Sequence, residues 1–212
     1  MKIRIVKCKN PSCKKEFQQR RFNQIVCSPL CSIEYQKLLK SKKEAKEWRD
    51  KKAVMKEKLM NLSNWKKLLE KQVNTICRLI DKDCKCISCN GKGNQAGHFH
   101  SVQSNESIRF NLHNLHVQEF NCNVERGGNV LAYSSGLINT FGNNYQEYCM
   151  FTIVKDYPLI KLDKNDIISA IELAKQSIKE LKEANKTYSP ELRVKLRDYY
   201  NHKIGIYNKS LK

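Results

Sequence analysis

Apolar residues recur at helical spacing in the middle of the chain, within a long stretch that contains no Gly or Pro (residues 32–81). Ser63 suits the capping position of a helix, because its hydroxyl can accept a backbone N–H at the helix start. The stripe that follows consists of Trp65, Leu68, Leu69, Val73, Ile76 and Ile80. This spacing predicts an amphipathic helix that begins near Ser63 and packs on a core.

Two further helices are predicted near the C-terminus. The first opens at Leu162–Asp163 and carries the stripe Ile167, Ile171, Ala174, Ile178 and Leu181. The second opens at Ser189–Pro190, with Ser as cap and Pro in the first turn. Its polar residues either touch DNA or belong to a core-packed tail: Arg193, Lys195, Arg197 and Tyr199–Tyr200. Residues 130–160 show no clear period and are predicted to be irregular.

Between the N-terminal cysteines and the first amphipathic helix, residues 32–62 are highly charged. A weak heptad pattern runs through them, made of Leu38, Ala45, Trp48, Met55, Leu59 and Leu62. Ser41 and Lys52 interrupt this pattern. We predict a basic helical spacer, and a dimer interface is the alternative.

The charge of the chain is strongly positive and unevenly distributed. It carries 40 Lys and Arg against 21 Asp and Glu, a net charge of +19. Residues 1–62 contain 18 of the basic and six of the acidic side chains. Such a surface attracts a polyanion, although a solvated Lys-rich helix has the same composition. No apolar run reaches the length of a membrane span, so a soluble protein without a membrane partner is expected.

Four cysteines near the N-terminus form two close pairs, Cys8-x4-Cys13 and Cys27-x3-Cys31. Two such pairs of thiolates are typical of a structural zinc site. The segment between them, Lys14–Phe22, mixes cations with aromatic rings, as expected of a small module that contacts phosphates. Disulfides are the competing account, but no signal-peptide pattern routes the chain to an oxidising compartment. Cys77 and Cys149 stand alone and are expected to be buried apolar residues.

The densest set of candidate site residues lies between residues 86 and 129. Cys86-x2-Cys89 has the spacing of a zinc knuckle, and Cys122 can close the same site from a following helix. Between these anchors lies His98, a general base that titrates near neutrality, followed by Asn114. Asn123 comes directly after the last anchor.

The order His98, Asn114, Asn123 resembles the HNH signature of metal-dependent nucleases. The resemblance implies that His98 is the general base, that Asn114 orients the hairpin carrying it, and that Asn123 helps to hold Mg²⁺ or Mn²⁺. One imidazole and one divalent ion can together activate water, neutralise the phosphate and assist the leaving oxygen. The alternative is an ordinary structural role for each residue, since lone histidines often pack and Asn is common in turns.

One family matches this pattern more closely. The chain resembles the NinG family of phage recombination proteins at Cys86–Cys89, Ala96–Phe99, Arg109–Asn111, Asn114–His116, Cys122–Asn123 and Gly128–Asn129. The resemblance implies an endonuclease that cleaves branched DNA, such as Holliday junctions and D-loops, in the cytoplasm of a bacterial host. Nothing in the sequence resembles a recognition helix that reads the major groove, so shape-based rather than base-specific recognition is expected. A homodimer and contacts with phage or host recombination proteins fit such a role.

Two positions depart from the pattern. Many HNH sequences place an Asp metal ligand directly before the His, where this chain has Gly97. Gln95, His100 or Glu125 could complete the catalytic metal site, and the residue types do not choose between them. At the zinc site the fourth thiolate is missing. Glu119 is the proposed substitute, with His116 and Cys84 as competitors.

The sequence therefore predicts an α+β protein in four parts. These are a four-cysteine zinc finger or ribbon (1–31), a basic helical spacer (32–62), an HNH-like ββα-metal core with its preceding helix (63–131), and an irregular segment with C-terminal helices (132–212). Structural Zn²⁺ and catalytic Mg²⁺ or Mn²⁺ are the expected cofactors, and Gly91, Gly93 and Gly97 are expected to mark turns. The competing function is a zinc-dependent DNA- or RNA-binding protein whose HNH-like core lacks catalysis.

Overall fold

The computed structural model describes residues 4–207, so Met1–Ile3 of the predicted zinc module and the last five residues lie outside it. The chain divides into two compact units at Met60 and Asn61. Each unit is described separately below. The class is α+β: helices predominate, and the two sheets of the described chain have two strands each.

The N-terminal unit consists of a small hairpin and one long helix. Strand β1 (Ile5–Lys7) pairs antiparallel with β2 (Glu16–Gln18). Helix α1 (Pro29–Lys58) follows and is 30 residues long. Only Cys8, Asn10 and Cys31 are buried among residues 4–60 with described burial. The unit therefore has almost no apolar core.

Helix α1 confirms the helical nature of the charged segment but begins three residues before the predicted spacer and ends at Lys58. Trp48 and Met55 of its heptad pattern are exposed, whereas Leu38 is partly buried. Lys and Glu side chains one turn apart pair along the surface, with Lys40 Nζ 3.9 Å from Glu44 Oε1. Such exposed pairs contribute little stability.

The second unit opens with α2 (Leu62–Ile80). The predicted cap, Ser63, is wrong by two residues: Asn61 caps the helix, and its side-chain oxygen accepts the Asn64 N–H at 2.9 Å. Leu68 of the predicted stripe is exposed. The other stripe residues are buried together with Cys77, and they pack α2 against the rest of the unit.

A second hairpin follows, in which β3 (Gln95–His98) pairs antiparallel with β4 (Leu115–Gln118). His98 lies opposite Leu115, and Gly97 lies opposite His116. The expectation that Gly97 marks a turn is wrong, because it lies inside β3. All four β4 residues are buried, so this strand runs through the core rather than along its surface.

Residues 130–160, expected to be irregular, are largely helical. They contain α3 (Val130–Phe141), then α4 (Asn143–Glu147), a π-helical turn (Tyr148–Thr152) and α5 (Ile153–Asp156). Apolar residues recur here at every fourth position: Tyr133, Leu137, Phe141, Tyr145, Cys149 and Ile153. Gly136, Gly142 and polar residues between them hide this period from a search for a standard amphipathic stripe.

Both C-terminal helices begin where the sequence predicts. Asp163 caps α6 (Lys164–Ala184) by accepting the Asp166 N–H, and Ser189 caps α7 (Pro190–Ile204). Helix α6 packs against α2. Cys77 and Cys149 are fully buried, as expected. Within residues 4–207, no helix combines the length and apolarity needed to cross a membrane.

A buried ion pair joins α7 to the end of α2. Arg197 is fully buried, and its Nη2 lies 2.8 and 2.7 Å from the two Asp81 carboxylate oxygens. Arg193 Nη1 lies 3.4 Å from the same carboxylate. The core-packed interpretation of these two arginines is therefore correct, and a DNA-contacting role for them is wrong. Lys195 and Tyr199 of the same helix are not buried in this way, and Tyr199 is exposed.

Candidate functional site

The four N-terminal thiols come together as predicted. The sulfur atoms of Cys8, Cys13, Cys27 and Cys31 all lie within 4.8 Å of one another. The first pair lies on a turn after β1, where the Cys8 N–H donates to the Lys15 carbonyl at 2.8 Å. The second pair brackets the start of α1. Four sulfur donors at this separation could hold one tetrahedral zinc ion.

The acid–base properties of this cluster suit a cation. The Ser28 hydroxyl and then the Asn10 side chain lower the pKa of Cys31 to about 7. The hydrogen bond with the Cys13 thiol, followed by that with Cys31, raises the pKa of Cys27 to about 12. Crowded thiols cannot all ionise without a positive charge between them. A metal ion would supply that charge and complete the deprotonation.

A second cluster lies in the larger unit, where Cys86, Cys89 and Cys122 bring three sulfur atoms within 4.8 Å of one another. A tight turn positions the first two: the Cys86 N–H donates to the Gly91 carbonyl at 2.8 Å, and the Gly91 N–H donates to Cys89 Sγ at 3.4 Å. Cys122 comes from a π-helical turn after β4. The thiols can therefore bind zinc structurally.

Glu119 is the best placed of the three candidates for a fourth ligand. Its Oε2 lies 3.2 Å from Cys89 Sγ. His116 is buried, and its two ring nitrogens are bound to the Tyr133 and Tyr145 hydroxyls at 3.0 and 3.2 Å. Cys84 faces the Lys82 carbonyl instead. A carboxylate oxygen is a permitted zinc ligand beside three thiolates.

The backbone around the knuckle favours an ionised thiol. Burial raises the pKa of Cys86, but hydrogen bonds from the backbone N–H groups of Glu119, Ser88 and Cys89 outweigh it. The net effect lowers the pKa of this thiol. Because zinc binds the thiolate, this preorganises Cys86 as a ligand.

His98 lies at the end of β3, partly buried, with Nε2 3.0 Å from the Arg109 carbonyl oxygen. A carbonyl only accepts hydrogen bonds, so Nε2 must carry the proton and a neutral ring then has its lone pair on Nδ1. Burial lowers the pKa of His98, although the Arg109 carbonyl and the Glu70 carboxylate oppose this effect. At neutral pH the side chain is therefore a base with a defined tautomer.

The Asn114 side chain hydrogen-bonds to the segment that follows His98. Its Nδ2 donates to the His100 carbonyl at 3.0 Å, and its Oδ1 accepts the His100 N–H at 2.7 Å. The Phe99 N–H donates to the Asn114 backbone carbonyl at 2.9 Å. The two residues after His98 are thus fixed to the opposite strand region. This geometry suits the orienting role expected of Asn114.

Asn123 lies beside β3, where its Nδ2 donates to Gln95 Oε1 at 2.8 Å. The other two residues that could complete a catalytic metal site are engaged elsewhere. His100 Nε2 lies 2.8 Å from the Cys149 carbonyl, and Glu125 accepts from the Asn121 amide. Outside the two thiol clusters, the side chains that the structure describes contain no other group of three His, Cys, Asp or Glu residues spaced to share a metal ion.

The surroundings of Gly97 contain one residue that the sequence does not single out. A Cβ at position 97 would lie 1.8 Å from Gln118 Oε1 and 3.0 Å from Asn123 Oδ1. The Gln118 amide therefore fills the space that an Asp side chain at position 97 would need. Oxygen atoms are the donors that Mg²⁺ and Mn²⁺ prefer, so these two amide oxygens fit such an ion, although they bring no charge.

Comparison with known protein families gives a match over most of the chain. The family described as "Bacteriophage Lambda NinG protein" matches residues 1–185. The chain belongs to the NinG family. It is 32% identical to Protein ninG of Escherichia phage lambda over 153 residues, which cover 64% of this chain and 75% of the lambda protein. Protein ninG of Salmonella phage P22 is 31% identical over the same coverage.

The family name says where the chain belongs but not what it does. A third NinG relative, from Escherichia phage 933W, is 34% identical over 97 residues, or 44% of this chain and 48% of that protein. None of these names specifies an activity. No solved structure matches the chain significantly. The resemblance to the NinG family is confirmed, while the chemistry has to be argued from the site.

Proposed function

We propose that this NinG-family protein is a metal-dependent endonuclease that acts on branched DNA, with His98 as its general base. The observation that carries the proposal is the joint placement of His98, Asn114 and Asn123. His98 lies on a short antiparallel hairpin. Asn114, just before the opposite strand, hydrogen-bonds to the backbone of His100. Asn123 follows Cys122 on the turn that carries the third thiol of the cluster. This placement fits the ββα-metal arrangement implied by the HNH resemblance.

His98 has the properties that a water-activating base needs. Its Nε2 proton is committed to the Arg109 carbonyl, which leaves Nδ1 to accept a proton from water. Its lowered pKa keeps the ring neutral at physiological pH. The ring can therefore accept a proton at the moment the water attacks.

The divalent ion would be held by the oxygen of Asn123 and by the neighbouring amide oxygens. When bound, it would neutralise the scissile phosphate and assist the leaving oxygen. These donors carry no charge, so the ion would be shared with phosphate oxygens of the DNA. Mg²⁺ commonly uses few protein ligands and completes its shell with waters and substrate phosphates.

The zinc clusters and the positive charge support DNA as the substrate. Arg20, Arg21 and Gln24 line a groove of about 640 Å³ in the N-terminal unit, beside the start of α1. The guanidinium groups suit phosphate contacts, which set affinity but carry no base specificity. Recognition by branched shape fits this pattern. The site of action would be the phage-infected bacterial cell, where recombining DNA and its partner proteins are present.

The decisive experiment compares the full chain with His98→Ala. Both are incubated with a labelled four-way junction and with linear duplex of equal length, in Mg²⁺, in Mn²⁺ and in chelator. We expect metal-dependent incision of the junction by the parent chain. The variant should lose at least about a hundredfold in rate, the contribution of a positioned base, while its junction affinity persists. Lys175→Ala, on the surface of α6, is the matched control.

Salt-sensitive junction binding without incision in any metal would contradict the nuclease. The alternative function would then apply, namely a zinc-dependent nucleic-acid-binding protein with a degenerate HNH core. One observation favours that alternative, because no carboxylate or imidazole lies at hydrogen-bonding distance from the Asn123 amide among the contacts of the described residues. Equal incision by the parent and His98→Ala would instead assign the base to another residue.

A further inference from the structure

Gln118 presents a buried oxygen to the space beside Gly97, the residue before His98. The side chain is fully buried at the end of β4. Its Nε2 donates twice, to Ser88 Oγ at 2.7 Å and to the Gly128 carbonyl at 2.8 Å. Its Oε1 is buried and has no hydrogen-bond partner among the described residues. An unpaired buried carbonyl oxygen is costly, so its position calls for a partner that is bound only in the functional state.

The orientation of this amide follows from its neighbours. Exchanging its oxygen and nitrogen would place Oε1 against the Gly128 carbonyl, so two acceptors would face each other. The oxygen must therefore point toward Gly97, where a Cβ would lie 1.8 Å from it. Asn123 is oriented in the same way: its Nδ2 is used by Gln95, and its Oδ1 lies 3.0 Å from that Cβ position.

We propose that Gln118 supplies, from β4, the metal-ligand oxygen that an Asp at position 97 would supply from β3. Gly97 and Gln118 form a complementary pair: the absence of a side chain on one strand makes room for the amide of the other. Gln118 Oε1 and Asn123 Oδ1 are then two neutral ligands for a hard divalent cation. The inference rests on the proposed function, since it names a ligand of the same site.

This arrangement has a consequence for metal affinity. Ligand charge is one of the main determinants of divalent-cation affinity, and an amide pair contributes none. The free protein should bind Mn²⁺ weakly, and the DNA phosphate should complete the site. Replacing the amide by a carboxylate should tighten binding to the free protein. The ligand role can therefore be tested without any turnover.

The test uses two substitutions at position 118. Gln118→Met and Gln118→Glu both remove the Nε2 donors to Ser88 and Gly128, and the glutamate in addition places a carboxylate oxygen against the Gly128 carbonyl. Only the glutamate keeps an oxygen toward Gly97. The readout is broadening of the Gly97 and His98 amide NMR signals of the zinc-loaded full chain during titration with Mn²⁺. Gln146→Met is the control, because the Gln146 amide donates to Ser134 Oγ, away from the proposed ligands.

We expect Gln118→Glu to need at least about tenfold less Mn²⁺ than the parent for equal broadening, and Gln118→Met to lose it. Equal broadening in the two variants would overturn the ligand role and leave Gln118 a structural clamp. Should both variants fail to fold, Gly97→Asp with Gln118→Gly tests the same exchange, and absence of Mn²⁺ broadening there would also overturn it. Broadening without junction incision would refute the nuclease alone, and incision by Gln118→Met at the parent rate would refute the ligand alone.

Discussion

The two cysteine clusters have opposite surroundings. The N-terminal four-thiol cluster is almost all that is buried in its unit, since among residues 4–60 with described burial only Cys8, Asn10 and Cys31 are buried. The three-thiol cluster of the larger unit lies beside a core formed by α2, α6, α7 and the buried strand β4. The first unit should depend on metal for its fold, whereas the second should depend on metal only for the shape of its site.

The two clusters also differ in the number of thiols, with four in the N-terminal cluster and three in the core cluster. Four thiolates bind zinc tightly, and the unit that needs the ion most has all four. In the core cluster the proposed fourth ligand is Glu119, whose oxygen lies 3.2 Å from Cys89 Sγ. The surrounding fold can tolerate a weaker site, because apolar burial and the Asp81–Arg197 pair already stabilise the chain.

The largest expected effect is that of zinc removal. Binding free energies of structural zinc are about 10–16 kcal/mol, well above what the sparse burial of the N-terminal unit can supply. Treatment with a strong chelator should make residues 4–60 exchange amide protons freely, while α2, α6 and α7 stay protected. Hydrogen-exchange mass spectrometry of the full chain measures both regions together.

Cys31→Ser should reproduce this loss in the N-terminal unit alone. Cys84→Ser is the matched control, because this thiol belongs to neither cluster. Protection of residues 4–60 that survives chelation would contradict the comparison. Equal loss in both units would show that the core, too, depends on zinc for its fold.

The second effect tests whether the larger unit is held by its own interior. Arg197→Met leaves the buried Asp81 carboxylate with the longer contact to Arg193 as its remaining ion pair, beside the Val117 N–H, and removing one member of a buried pair costs about 3–5 kcal/mol. Urea unfolding of the zinc-loaded chain measures the loss. Lys195→Met lies on the surface of the same helix and should change stability by less than about 0.5 kcal/mol. Similar midpoints for the two variants would refute the role of the pair.

The third effect would make the two clusters alike. Glu119→Cys gives the core cluster a fourth thiol and should slow zinc loss to a chelator, whereas Glu119→Ala should speed it. Each change should exceed the roughly 10- to 100-fold that loss of an outer hydrogen-bond partner costs in metal affinity. Zinc release followed with a colorimetric chelator ranks the three proteins. If Glu119→Ala retains zinc like the parent, the carboxylate is not a ligand.

Local signals in the sequence predicted the helices well where capping and period agree. The two C-terminal helices begin at Asp163 and Ser189 as expected, and Ser189 caps its helix as predicted, because a short polar side chain before an apolar stripe is a local signal. The helical segment that contains Tyr133 and Tyr145 was not predicted, because glycines and polar residues interrupt the four-residue period of its apolar side chains. Both tyrosines pack around His116, a residue far from them in sequence, and that contact is visible only in three dimensions.

The site shows the same limit. The spacing of the cysteines was enough to predict both thiol clusters, since zinc ligands recur at fixed short intervals. Gln118 was not found, because its role depends on the strand register that sets it against the Gly97 region. The sequence did show that a metal ligand is missing, because Gly97 stands where many HNH sequences have an Asp before the His. A vacant ligand position on one strand directs attention to oxygen donors on the strand paired with it.

The smallest effect concerns proton binding, and it distinguishes the buried unit from the exposed one. Burial lowers the pKa of His98, so a rate that needs the neutral ring should rise with pH, reach half its maximum below the ordinary histidine value of 6.5 and stay level above it. The Glu70 carboxylate opposes this shift. Glu70→Gln should therefore move the midpoint lower still. Junction incision measured from about pH 5 to 8, alongside NMR titration of the His98 ring proton, gives both midpoints.

Because the folded pKa of His98 is depressed, the stability contributed by its neutral ring is complete above pH 6.5 and falls as pH drops toward the folded pKa. A midpoint above 6.5 in both measurements would mean that the ring is not shielded from water, and the contrast between the two units would not extend to this residue.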